Sequence, residues 1–266
     1  MKINISRDAR PQVQLLLFAT AITVLLWFIP FASILTYPFR IFVTFIHEGG
    51  HAIAALLTGN SVSSLSVASD GSGLTYSTGS GFLSRLFISS AGYLGATAFG
   101  ALLLVLIRRT VAARAVLVGS AALIGVLTLF FGLLKPLFAG SWGNLMGIPF
   151  TVVAGVLITL GLLAVAKYGS ARTASFFVSF LAVQCVITAL LDLKTLFFLS
   201  SPFTLGEAHS DAANMAAYTG VPAMVWTLAW AGIAIVILSL ALRAYAISRE
   251  RAAEQQDLPF EEPLEV

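Results

Sequence analysis

The chain has 266 residues, of which 58% are hydrophobic and only 10% are charged. Soluble domains typically carry about 25% charged residues, so this composition excludes an ordinary soluble domain and predicts that lipid surrounds much of the chain. The formal net charge of +3 comes from arginines that flank hydrophobic runs, which does not indicate a nucleic-acid partner. The single cysteine, Cys185, excludes an internal disulfide bond.

Apolar segments recur along the chain, each near the roughly 20 residues that a helix needs to cross a bilayer. We place seven of them, at approximately 13–35, 37–58, 82–107, 115–138, 145–166, 173–199 and 222–246. They predict an all-α, polytopic membrane protein with about seven transmembrane helices. Residues 1–248 are expected to form a single transmembrane domain, and the charged segment 249–266 a disordered tail.

The connection between the second and third apolar segments differs from the others. Val62–Val67 and Leu74–Ser77 alternate polar and apolar residues on either side of the pair Asp70-Gly71. This pattern predicts a short β-hairpin after the second helix, with an ordinary membrane loop as the alternative.

The second apolar segment contains the motif His47-Glu48-Gly49-Gly50-His51. Residues four apart share a face of a helix, so both imidazoles can point at one metal ion, with Glu48 beside them to take a proton from water. Zinc prefers such nitrogen ligands, and Zn²⁺ is the cofactor that the motif predicts. A helix–helix hydrogen bond or a buried ion pair is the alternative interpretation, but the motif uses two of the three histidines in the chain.

With this motif in a membrane helix, a strand-like segment after it, and then LFISSAGYLGATAFGALLL, the sequence resembles the site-2 protease family of intramembrane zinc metalloproteases. The resemblance, to bacterial members in particular, covers roughly residues 37–107 and implies a multi-pass protein of a bacterial cell membrane. The last run resembles the family's Gly-rich helix, which packs against the HExxH helix. Gly92, Ala96 and Gly100 form its stripe of small residues. The family commonly has Gly-Pro and an Asn in this helix, whereas this chain has Gly92-Tyr93.

The resemblance also implies a third zinc ligand, an aspartate from a later transmembrane segment. The family's aspartate is usually followed by glycine, and neither Asp192 nor Asp211 is. We favour Asp192, because His51 and Asp192 each lie about seven residues, roughly 10 Å, before the expected ends of parallel helices. Asp211 is the alternative ligand if residues 200–221 re-enter the protein, although Ser210 and Asp211 are also typical of a helix start.

These observations predict an intramembrane zinc metalloprotease in which Glu48 is the general base and His47, His51 and Asp192 are the metal ligands. Its expected partners are the lipid bilayer and a membrane protein or peptide substrate, with no nucleic acid. The hairpin is expected to hold an extended substrate by edge pairing. The candidate substrate-binding residues are Leu65, Val67 and Leu74.

The alternative function is a non-enzymatic, metal-binding membrane protein, either a transporter or an inactive protease-like scaffold. A transporter is expected to carry ligands on several helices, whereas here only one helix carries a cluster of them.

Overall fold

The computed structural model describes residues 10–29, 31, 33–108, 112–138, 147–200 and 210–246. These ranges contain nine α-helices: Arg10–Trp27 (α1), Ser33–Leu57 (α2), Phe82–Arg108 (α3), Ala113–Val126 (α4), Lys135–Phe138 (α5), Gly147–Tyr168 (α6), Ala171–Leu199 (α7), Asp211–Thr219 (α8) and Ala223–Ala246 (α9). They also contain two strands, Val62–Val67 (β1) and Gly73–Ser77 (β2). The predicted tail at 249–266 lies outside the described residues.

Five stretches in the described part of the chain are helical, long and apolar enough to cross a membrane: Phe82–Ile107, Ala113–Phe138, Gly147–Tyr168, Ala171–Leu199 and Ala223–Ala244. The apolar stretch of α1, Val13–Leu26, is shorter, and α2 is not among the five because its ionisable motif lowers its hydropathy. The predicted polytopic helical membrane fold is confirmed. By length and composition five spans are found in these residues, where the sequence predicted about seven.

One long helix has a widened middle. A π-helical segment at Leu127–Leu134 joins α4 to α5 without a break. Pro136 contributes to this, since proline lacks the N–H that an α-helix would direct to the carbonyl of Gly132. The segment packs behind α2: a Cβ placed on Gly49 would lie 2.6 Å from Cδ1 of Leu127. The glycine therefore lets the helix of the HExxH motif lie close to the π-helical segment.

The two strands pair in an antiparallel hairpin, as the sequence predicted. Leu65 lies opposite Thr75, and Val67 lies opposite Gly73. The register shifts between Val62 and Ser64, where an extra residue makes a bulge. The inner strand β1 packs against the π-helical segment and α6, and β2 packs against α2.

The hairpin turn has its own internal bonds. Asp70 Oδ1 accepts hydrogen bonds from the backbone N–H and the hydroxyl of Ser72, at 2.8 and 2.6 Å. These bonds hold the pKa of the Asp70 carboxyl below its usual range. Gly71 has φ +86°, a left-handed conformation that favours glycine.

Side chains of α2 fasten this turn to the helix. Tyr37 donates its hydroxyl to the carbonyl of Ser69 at 2.6 Å, and Thr44 donates to the carbonyl of Gly71 at 2.9 Å. Between them, the guanidinium of Arg40 donates to the carbonyl of Asp70. Because these three donors lie on one helix face, α2 fixes both its own motif and the position of the hairpin.

Helix α3 lies at the centre of the fold and packs against α2, α7 and α9. It lies close to α2 at Gly50, where a Cβ would collide with the carbonyl of Ala91, and where Gly95 lies opposite. Gly100 faces α7 instead, with Cβ of Cys185 3.0 Å from where its own Cβ would be. The small-residue stripe predicted for packing on α2 therefore serves two neighbours: Gly92 faces His47 and His51 of α2, and Gly100 faces α7.

Candidate metal site and substrate cavity

Three side chains from two helices converge at one point. Nε2 of His47 lies 3.1 Å from Nε2 of His51, and Oδ2 of Asp211 lies 3.3 and 3.2 Å from these two nitrogens. Two ligand atoms bound tetrahedrally to one zinc ion are roughly 3.3 Å apart, given bonds of about 2.0–2.1 Å. The spacing and the donor set of two imidazoles and a carboxylate fit a zinc ion.

Both imidazole rings are oriented by α3. Nδ1 of His51 lies 2.6 Å from the carbonyl of Ile88, so it carries the proton and leaves the Nε2 lone pair free for a metal. The ring of His47 meets that of Tyr93 edge-on, with centroids 4.6 Å apart. Tyr93 in turn stacks on Trp230, whose indole N–H donates to the hydroxyl of Ser90. Tyr93, the residue at which this chain departs from the family's Gly-Pro, thus supports a histidine of the motif.

Gly92 borders the same point. A Cβ on Gly92 would lie 2.5 Å from both Cε1 of His47 and Nε2 of His51, and still closer to Nε2 of His47. Real Cβ atoms essentially never come so near another heavy atom. The space beside the ligand atoms therefore depends on the absence of a side chain at position 92.

Asp211 is the first residue of α8, and Ser210 before it caps the helix by accepting the backbone N–H of Ala213 at 3.2 Å. Because the hydroxyl of Ser210 provides the cap, the carboxylate of Asp211 is free to reach the two histidines.

Of the two aspartates that the sequence offers as third ligand, the structure brings the alternative, Asp211, to the histidines and does not bring Asp192 to them. Asp192 lines the same cavity from α7, but the group of potential metal ligands found among the described residues consists of His47, His51 and Asp211. Depth along a helix does not determine where a side chain points, and α8 packs beside α3 and α9 at the level of the histidines.

Glu48 lies between the metal-ligand group and the hairpin. It is only 5% exposed, and its Oε2 accepts a hydrogen bond of 2.7 Å from the hydroxyl of Thr75. A Cβ on Gly73 would lie 2.5 Å from Oε1 of Glu48, so a glycine in β2 makes room for the carboxylate. The glutamate is positioned beside the ligand group without belonging to it.

The site opens into a cavity of about 590 Å³ between α2, β2, α3, α7 and α8. This volume is in the range of pockets that enclose small ligands or short peptide segments. Every residue of β2 lines the cavity. The strand therefore forms one wall of the space in front of the histidines.

Hydrogen bonds to Val67 establish which way the edge of β2 faces. Val67 donates its N–H to the hydroxyl of Thr151 at 2.9 Å, and its carbonyl lies 3.1 Å from the same oxygen. Val67 thus directs its polar groups away from β2, and its partner Gly73 must direct its own away from β1. Two residues further along β2, Thr75 likewise directs its backbone N–H and C=O away from β1. In the described part of the chain, no other residue bonds to these outward groups of Gly73 and Thr75.

The three predicted substrate-binding residues occupy different environments. Leu74 is 47% exposed and lines the cavity. Leu65 and Val67 are buried, at 1% and 0%, in the core that includes the π-helical segment, so their side chains do not reach the cavity. This difference follows from the position of the strands: β1 is the inner strand, and β2 presents its edge to the cavity.

A sequence profile described as Peptidase M50B-like matches residues 15–241. Neither a curated protein nor a solved structure matches the chain. The matched range includes the HExxH motif, the hairpin and Asp211. It confirms the resemblance to the site-2 protease family.

Proposed function

Because the chain belongs to the Peptidase M50B-like family, whose members are metallopeptidases, we propose that it is an intramembrane zinc metalloprotease. Its substrates are membrane-embedded or membrane-adjacent proteins, cut at a peptide bond within the cavity. The observation that carries the proposal is the convergence of His47, His51 and Asp211 beside a buried glutamate. Cleavage of a transmembrane peptide by the purified protein, and its loss in a Glu48→Gln variant, tests the proposal.

His47, His51 and Asp211 would hold the zinc ion, and three protein ligands leave the open position typical of a catalytic site. When bound there, zinc polarises a carbonyl and lowers the pKa of water to about 7. Gly92 keeps the space next to these ligand atoms free of any side chain.

Glu48 is the general base of the proposed reaction. Its carboxylate is next to the ligand group and faces the cavity, so it can take a proton from the attacking water and then give one to the leaving amine. Burial keeps bulk water from competing for the carboxylate, and the hydroxyl of Thr75 fixes one of its two oxygens.

Strand β2 is the substrate-binding element of the proposed mechanism. A helical substrate must unwind before its peptide bond is accessible, and the unwound segment needs partners for its backbone groups. The outward N–H and C=O groups of Gly73 and Thr75 supply them, as an added strand pairs with a free sheet edge. The exposed side chain of Leu74 then contacts the substrate from the same wall.

The non-enzymatic alternative is less well supported. Neither a transporter nor an inactive scaffold requires a buried glutamate beside the ligand group or a strand edge open to it. Both features are expected of a protease that uses a general base and binds its substrate as an added strand.

Replacing Gly92 by alanine is expected to lower zinc affinity at least about tenfold and to reduce cleavage in proportion. The added methyl would occupy the space next to the imidazole nitrogens of His47 and His51. Gly95→Ala is the matched control, because a Cβ there meets only Cα of Gly50 at an ordinary 3.5 Å. Zinc content of the purified variants measures the effect, and equal zinc content in both would contradict the proposed location of the ion.

A proline at Leu74 is expected to reduce cleavage sharply, while alanine at the same position reduces it much less. Leu74 pairs with Ser66 across the hairpin, and proline removes the N–H that this pairing uses. Both variants should keep their zinc, since the ligands lie on α2 and α8. Equal cleavage rates for the two variants would show that substrate is held elsewhere.

A further inference from the structure

Thr75 contacts the proposed general base through its side chain and belongs to the proposed substrate-binding strand through its backbone. Its hydroxyl donates to Oε2 of Glu48 at 2.7 Å, while its backbone N–H and C=O lie in the middle of the free edge of β2. The hydroxyl is also 3.1 Å from the backbone carbonyl of Glu48. It has a single proton, and the shorter contact to a charged acceptor is the stronger hydrogen bond.

We propose that Thr75 is a positioning residue, through which the strand that pairs with substrate also sets the orientation of the general base Glu48. This inference rests on the proposed function and deepens it. Substrate binding and base orientation are then coupled, because one residue of one strand serves both.

The surroundings of Thr75 make this coupling rigid. A β-branched side chain in a strand has few χ1 rotamers, so the direction of its hydroxyl follows the position of the backbone. That backbone is fixed at the turn by Tyr37 and Thr44 of α2, the same helix that carries Glu48. Gly73 brings the strand close enough for the bond to form, since any side chain there would collide with the carboxylate.

Lateral displacement of β2 therefore also moves the hydroxyl of Thr75, which is the hydrogen-bond donor to Glu48. A substrate strand that pairs in the correct register stabilises β2 where the carboxylate faces the scissile bond. A substrate that pairs poorly leaves both the strand and the base less well fixed. Selection of substrates by backbone pairing thus acts on turnover as well as on binding.

The first experiment compares Thr75→Val and Thr75→Ser in detergent micelles, with a quenched-fluorescent peptide that has an extended apolar core. Valine keeps the shape and loses the hydroxyl, so kcat is expected to fall about tenfold or more while KM changes less than about twofold. Serine restores the donor, and its kcat should return to within about threefold of the wild type. Zinc content should be the same in all three proteins.

Thr78→Val is the matched control. Among the described residues, Thr78 forms hydrogen bonds only with Ser61, at the far end of the hairpin, and it does not line the cavity. The Thr78→Val variant therefore measures how much kcat changes when the hairpin is weakened but the hydrogen bond between Thr75 and Glu48 is kept. A kcat for Thr75→Val equal to that of Thr78→Val overturns the inference, and so does a Thr75→Ser variant as slow as Thr75→Val.

A second measurement does not depend on activity. Thr75→Val is expected to lower the thermal midpoint (Tm) of the purified protein. In the wild-type background this decrease should be larger, by about 2 °C or more, than the decrease that the same substitution causes in a Glu48→Ala background. Equal shifts in the two backgrounds show that the hydroxyl and the carboxylate do not interact, and overturn the inference. If the wild-type protein cleaves no peptide, the proposed function fails, and this cycle still decides whether Thr75 holds Glu48.

Discussion

Replacement of Glu48 by glutamine is expected to abolish peptide cleavage and to leave zinc bound. Glutamine keeps the size of the side chain and can still accept a hydrogen bond from Thr75, but it cannot take a proton from water. General acid–base catalysis contributes about 10²–10⁴-fold to a rate, so the loss should be at least of this order. Zinc should remain, because Glu48 lies outside the group formed by His47, His51 and Asp211.

The measurement is cleavage of a transmembrane peptide in vesicles, with zinc determined on the same samples. Asp70→Asn is a matched control, since it makes the same carboxylate-to-amide change in the hairpin turn, outside the cavity lining. It should cleave nearly as fast as the wild type. Continued proteolysis by the glutamine variant would rule out the protease mechanism in the form given above. If the wild-type protein and the Glu48→Gln variant both bind zinc and neither cleaves the peptide, the result would favour the inactive scaffold.

The part of the site that the sequence predicted is the part encoded locally. His47 and His51 converge because four residues make about one helical turn, and Glu48 follows from its place between them. The hairpin was equally local, because the pair Asp70-Gly71 can form the turn and Gly71 adopts its positive φ. Neither feature needs information from distant residues.

The features that the sequence did not predict depend on packing between distant segments. Thr75 was one polar residue in an alternating strand, and only the register of the hairpin brings it to Glu48. Tyr93 departs from the family's pattern in the sequence, but its contact with His47 depends on the packing of α3 against α2. Alternation does not tell an inner strand from an edge strand, so it does not show that Leu65 and Val67 are buried.

The position of Asp211 illustrates the same limit. Equal depth along α2 and α7 favours Asp192, whereas in the structure α8 lies against α3 and α9 and brings Asp211 to the histidines. The capping role expected for this position is also present, but Ser210 performs it. The side chain of Asp211 is thereby left available for the metal site.

Replacement of Asp211 by alanine is therefore expected to abolish zinc binding, while Asp192→Ala keeps the ion. Loss of a residue that only supports a ligand costs about 10–100-fold in metal affinity, so loss of a ligand should cost more than about a hundredfold. Asp192 lines the cavity and lies outside the group of converging ligand atoms, so its removal should leave zinc content unchanged. Zinc content after purification, and a competition titration with a chelator, measure both effects.

A variant of the neighbouring residue separates ligand loss from helix unravelling. Ser210→Ala removes the cap of α8 and keeps the carboxylate, at a cost of about 1 kcal/mol in local stability. It should retain zinc, whereas Asp211→Ala should lose zinc although the cap is intact. If Ser210→Ala loses zinc as fully as Asp211→Ala, the aspartate matters through the stability of α8. If Asp192→Ala loses zinc and Asp211→Ala keeps it, the third ligand lies on α7, and α8 must then leave the histidines when the ion is bound.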